Sequence, residues 1–144
     1  MLSITFASFF IIACNNVDKN KLSPGKNGTA VNDDTSKYTT IQWIDSVKNY
    51  GKITEGQKLD VAFRFKNTGD KPLIIRSVQP GCGCTETSEI KEPIAPGTEG
   101  IIKASFNSSG RTGVNNKDIY VDANTKGTNR HTLHFTVEVE KASN

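Results

Sequence analysis

Apolar and polar residues alternate along this chain, and that period of two sets the main limit on what it can fold into. Leu59, Val61, Phe63 and Phe65 alternate with Asp60, Ala62, Arg64 and Lys66. An extended segment built this way has one apolar side and one polar side. Near the C-terminus Leu133, Phe135, Val137 and Val139 alternate with Thr132, His134, Thr136, Glu138 and Glu140. Shorter runs repeat the pattern: Ile41 with Trp43 and Val47, Leu73 to Val78, Ile102 with Ala104 and Phe106, and Ile119 with Val121. Polar, Gly- and Pro-bearing segments at 67–70, 93–97 and 107–115 read as the turns between them. Gly69 is expected to supply a positive φ in the first turn, and Pro72 to open the next strand, where a missing N–H does least harm. The fold class that follows is all-β, an immunoglobulin-like β-sandwich of about seven strands. The antibody disulfide and the tryptophan of its third strand have no counterpart here, so apolar packing must hold the core.

The first fourteen residues, MLSITFASFFIIAC, do not belong to that pattern. The apolar run from Leu2 to Ala13 has the length of a signal-peptide core and is too short to cross a bilayer. It ends in Ile11-Ile12-Ala13-Cys14, which resembles a bacterial lipobox. That resemblance implies a diacylglycerol thioether on Cys14, cleavage before it, and acylation of the new amine with a fatty acid such as palmitate. Two or more acyl chains anchor stably where one does not. The run departs from the usual pattern in having no Lys or Arg before Cys14. Residues 15–38 turn abruptly polar, rich in Asn, Asp, Lys, Ser and Gly. They cannot bury enough surface to order themselves and read as a flexible tether. The expected organisation is therefore a signal peptide over 1–13, lipidated Cys14 with a linker to 38, and one sandwich domain over 39–144. The expected location is the bacterial cell envelope, lipid-anchored at the outer membrane, facing the periplasm or the surface.

The net charge of +3 is small, and the lysines at 48, 52, 58, 66 and 71 alternate with acids and apolar residues instead of forming a basic block. Nucleic acid is not an expected partner. The sequence has no Gly-x-Ser-x-Gly elbow, His-Glu-x-x-His pair, phosphate loop or dinucleotide-binding glycine motif. Asp118 and Asp122 share a strand face about 13 Å apart, too far for one acid/base pair. No enzyme is expected.

Three strings carry a family resemblance: Phe63 to Ile75 (FRFKNTGDKPLII), Gly81-Cys82-Gly83-Cys84-Thr85, and Pro93-Ile94-Ala95-Pro96-Gly97. In this order they resemble the bacterial "domain of unknown function 1573" family over roughly residues 41–139. The resemblance implies an exported, often lipid-anchored protein with an Ig-like sandwich related to the ASH and major-sperm-protein domains. The family usually has Ser before Cys-Gly-Cys-Thr, and here Gly81 stands there.

Cys82 and Cys84 are the chemistry-bearing pair. Exported proteins rarely keep idle thiols. Three states are open for the pair. A direct disulfide would need Gly83 to permit a bend, because in an extended strand the two Cβ atoms lie too far apart; a strained disulfide of this kind would be reducible and a redox site. A soft-metal site for Cu(I) or Zn(II) would take Cys82 and Cys84 as two ligands, where a closed zinc site needs about four. Two buried thiols filling a turn is the third. His131 and His134 lie three apart on a strand and face opposite sides, so they do not chelate one ion together. His131 reads as a rim residue near the inner face and His134 as an exposed one.

The leading reading is a non-enzymatic, lipid-anchored binding or scaffolding module with no resident cofactor. Its partner would be a protein or another envelope component, met at a sheet edge or end loops. The first candidate site is the loop of Cys82, Gly83, Cys84 and Thr85, with Asn67 beside it by motif. The alternative is a periplasmic soft-metal or thiol-redox protein using Cys82 and Cys84.

Overall fold

The two strongest alternations lie in different sheets. The structure, a computed structural model, describes residues 37–142. The expected signal peptide, Cys14 and nearly all of the tether lie outside them. Eight strands form: β1 (Ile41–Trp43), β2 (Val47–Thr54), β3 (Lys58–Asn67), β4 (Ile75–Pro80), β5 (Thr85–Thr87), β6 (Glu99–Asn107), β7 (Gly113–Ala123) and β8 (Arg130–Glu140). They make two four-stranded sheets, ordered β1-β3-β6-β5 and β2-β8-β7-β4. The expected sandwich is therefore present, with eight strands where about seven were anticipated.

Inward residues of the two sheets meet in one core. Val61, Phe63 and Phe65 of β3 face Leu133, Phe135 and Val137 of β8, all almost fully buried. Ile102 and Phe106 of β6 and Ile119 and Val121 of β7 complete the layer. Phe106 meets Phe135 edge-on with centroids 5.9 Å apart, the geometry that ring quadrupoles favour.

Five connections pass between the sheets, and two of them join edge strands, one on each side of the sandwich. β1 pairs with β3, and β2 pairs with β8 in parallel, so Ile44 to Ser46 cross between sheets. Asp45 holds that corner, accepting from Arg64 Nε at 2.9 Å and pairing with Lys48 at 3.3 Å. The Arg64 hydrogen bond is the main reason its carboxyl sits below the ordinary aspartate range; burial opposes it and Lys48 adds to it. Where β1 ends, two β2 side chains take over the exposed edge of β3. Lys48 Nζ donates to Ala62 O at 2.7 Å, and Ala62 N donates to Tyr50 Oη at 3.0 Å. On the opposite side, β4 belongs to one sheet and β5 to the other. The crossing there is Gly81 to Cys84.

At one end of the sandwich buried polar groups tie the loops together. Asn67, fully buried, uses its whole side-chain amide. Its Nδ2 donates to Lys71 O and Ile94 O, and its Oδ1 accepts from Thr39 Oγ1 and Gly69 N. Its backbone joins the 93–97 turn as well, through Gly97 N to Asn67 O at 2.8 Å. Gly69 is not among the positive-φ glycines, contrary to expectation. It is needed for closeness instead: a Cβ there would lie 2.1 Å from Thr39 Oγ1 and 2.6 Å from Thr40 N. Pro72 also departs from expectation. Leu73 makes a single bridge to Ile94, and the strand itself starts at Ile75.

Candidate functional site

Gly81, Cys82, Gly83 and Cys84 form the bend that carries the chain from β4 to β5. Gly81 N donates to Asp118 O at 2.8 Å, holding the start of the bend to β7. Thr85 N then donates to Cys82 O at 3.3 Å, closing the bend, and Asn107 N donates to Cys84 O at 2.9 Å, attaching it to β6. Two residues of extended chain would separate the Cys82 and Cys84 Cα atoms by about 6.6 Å. The bend brings them to 5.3 Å, and the two sulfurs are bonded to each other. Cys82 is half-buried, and Cys84 and Thr85 are buried. Thr85 Oγ1 lies 3.7 Å from Cys82 Sγ and 4.0 Å from Cys84 Sγ. Gly83 is exposed, and no heavy atom outside its immediate neighbours lies within 4 Å of where its Cβ would stand.

Cys84 and Gly83 form one wall of an open groove of about 350 Å³, whose other walls include Lys58, Glu86, Asn107 and Arg111. Lys58 and Glu86 pair at 3.7 Å across the rim, both well exposed. Arg111 makes no ion pair among the described residues, so the groove carries a net positive charge. Sequence reasoning singled out none of these groove residues. Lys58 starts β3, Glu86 sits in β5, Asn107 ends β6 and Arg111 lies in the turn that follows, and only strand register gathers them.

The structure separates some of what the sequence put together. Asn67 lies at the far end of β3 from Lys58, about 30 Å of strand away, so it does not flank the cysteine loop. Bonded to each other, the two sulfurs are not thiolate ligands. Among the described residues no group of three or more His, Cys, Asp and Glu could hold a metal ion.

Nor do the histidines approach the cysteines as a pair. His131 packs on Trp43, with centroids 5.7 Å apart, and its Nε2 lies 2.8 Å from Thr125 Oγ1 at the Asn67 end. Burial pushes its pKa below the ordinary histidine value, and Asp122 pulls weakly the other way. His134 is half-buried on the outer face, where Nδ1 meets Asp118 Oδ1 at 2.6 Å. This pair went unseen in the sequence because it depends on the β7–β8 register, which sets Asp118 opposite His134.

Solved structures share this architecture. A protein of unknown function from Porphyromonas gingivalis W83 superposes with a TM-score of 0.64 at 16% identity, over 78% of this chain and 51% of that one. The chain thus spans about half the length of that protein. The secreted serine protease VesC from Vibrio cholerae gives 0.55 at 11% identity, over 78% of this chain and 26% of that one. The ASH/PapD-like domain of human CEP192 gives 0.52 at 12% identity, over 92% of this chain and 98% of that domain. At such identities the likeness is one of fold. No curated protein sequence matches the chain. The family model described as "Protein of unknown function (DUF1573)" matches residues 41–139, from the start of β1 to within one residue of the end of β8, and the chain belongs to that family.

Proposed function

We propose that this protein is a non-enzymatic cell-envelope lipoprotein, held by lipid on Cys14, whose sandwich docks a protein or other envelope partner through the end bearing the Cys82–Cys84 bend. One observation carries the reading. Lys37 and Thr39, where the tether joins the sandwich, are bound to Asn124 and Asn67 at the end opposite the bend. The groove beside the bend therefore stands clear of the attachment. Its walls are polar and charged, which suits a polar partner surface better than a small apolar ligand.

Two measurements test the proposal. Metabolic labelling with a fatty acid should mark the wild-type chain and be lost in Cys14→Ala; retained labelling would remove the anchor. A photo-crosslinking side chain at Ser109, on the groove, should capture an envelope component that the same group at exposed Ile74, near the opposite end, does not. Equal capture at both ends would remove the docking end.

A further inference from the structure

We propose that the Cys82–Cys84 disulfide is a thiol–disulfide exchange site, and that its substrate class is a protein dithiol. The inference adds an activity to the docking role and does not depend on the lipid anchor.

The first ground is what the bond does not do. A disulfide stabilises chiefly by closing a long loop in the unfolded chain, and the effect shrinks with loop length. This one closes three residues. The core already holds fifteen other buried apolar side chains drawn from both sheets. A latch of this span adds little to such a core, so stability is a weak reason for the bond.

The second ground is access and charge. Cys82 is the less buried of the two sulfur-bearing residues, and exposed Gly83 leaves open space beside it. Cys84 lies on the groove wall with Lys58, Glu86 and Arg111; Glu86 pairs with Lys58, and Arg111 leaves the wall net positive. Cations near a sulfur favour its thiolate, and a stabilised thiolate leaves faster. The attacked and leaving sulfurs are thereby distinguished. Thr85 Oγ1, within reach of both, can donate to whichever sulfur carries charge.

The exchange balances in two steps. A partner thiolate attacks Cys82 Sγ and forms a mixed disulfide; the Cys82–Cys84 bond breaks, and its electron pair stays on Cys84 Sγ. The partner's second thiolate then attacks the partner sulfur of the mixed disulfide, and Cys82 Sγ leaves. Two electrons pass from the partner dithiol, which becomes a disulfide. The two partner protons, released as its thiols ionise, return through water to Cys82 and Cys84.

The test uses the full chain in its oxidised form, without denaturant. One equivalent of a reduced Cys-x-x-Cys protein is added, and thiols are trapped by alkylation and read by peptide mass at Cys82 and Cys84. Both cysteines should become alkylated while circular dichroism stays native. The second-order rate should exceed that with the same thiol concentration of glutathione by at least about tenfold. A bond that opens only in denaturant, or a protein dithiol no faster than glutathione, would overturn the proposal. The Lys58→Ala, Arg111→Ala variant keeps both cysteines and alters only exposed side chains. Its reduced pair should alkylate about three- to tenfold more slowly at neutral pH, with the pH midpoint moved upward. An unchanged midpoint would overturn the role given to the groove.

Discussion

Asn67 shows what a single residue can decide in this fold and how little of it the sequence reveals. In Asn67-Thr68-Gly69 the asparagine reads as a turn residue, chosen for its backbone habits. The structure instead buries it completely with both amide hydrogens and both oxygen lone pairs in use. Asn67→Ala should therefore lower stability by about 2–4 kcal/mol, because Lys71 O and Thr39 Oγ1 lose the Asn67 amide and Ile94 O keeps only Leu73 N. The midpoint of urea unfolding measures it, with an unchanged slope showing that the same surface unfolds. His131 gives a pH dependence with a definite sign. Burial lowers its pKa in the folded chain, so the unfolded chain binds the proton more readily. Stability is then constant above the unfolded value, near 6.5, and falls as pH drops from there to the lowered folded value. The wild type should lose melting temperature between pH 7 and 5 relative to His131→Gln. Parallel curves for the two proteins would show that another group sets the slope. That His131 faces inward was legible, because it keeps phase with Leu133 and Phe135; its contacts with Trp43 and Thr125 were not, since they come from other strands.

At the scale of elements, legibility follows from how long the alternation runs unbroken. β3 and β8 each keep strict phase, and both were readable to within about two residues. β2 hid because its phase breaks: Lys48 and Tyr50 point inward, then the register slips between Asn49 and Lys52, and Ile53 resumes. Gly51, at φ 69°, sits in the slip, the mark of a bulge. β5 hid because its three residues offer no period. The β3–β6 pair contains a packing limit that no alternation reveals. Gly100 stands opposite Phe65, and a Cβ on it would lie 2.3 Å from the buried ring. Gly100→Ala should cost about 1–3 kcal/mol by forcing that ring out of place. A compensating Phe65→Leu in the same chain should recover part of the loss. A single variant as stable as wild type in chemical denaturation would show that the two strands part easily.

For the whole molecule, the three family strings divide between two ends. The 67–69 and 93–97 turns meet each other through Asn67, Gly97 and Ile94 at the end where the tether joins. The Cys82–Cys84 bend lies toward the other end, on the side where β4 passes to β5. The sandwich class was legible because burial on one face of each strand is written into every alternating run. Which ends the motifs occupy was not, since strand order and register are properties of pairing. This division separates stability from chemistry. The end holding Asn67 has buried polar groups whose loss leaves partners unsatisfied. The bend has a three-residue ring whose opening releases about 1.6 kcal/mol of unfolded-state entropy in the chain-closure model. Cys82→Ala, Cys84→Ala should accordingly fold to the same sandwich and lose no more than about 2 kcal/mol, less than Asn67→Ala. Thermal unfolding of the two variants side by side checks the order. If the cysteine variant is the less stable, the disulfide is a structural latch for the β4–β5 crossing, and the exchange chemistry loses its first ground.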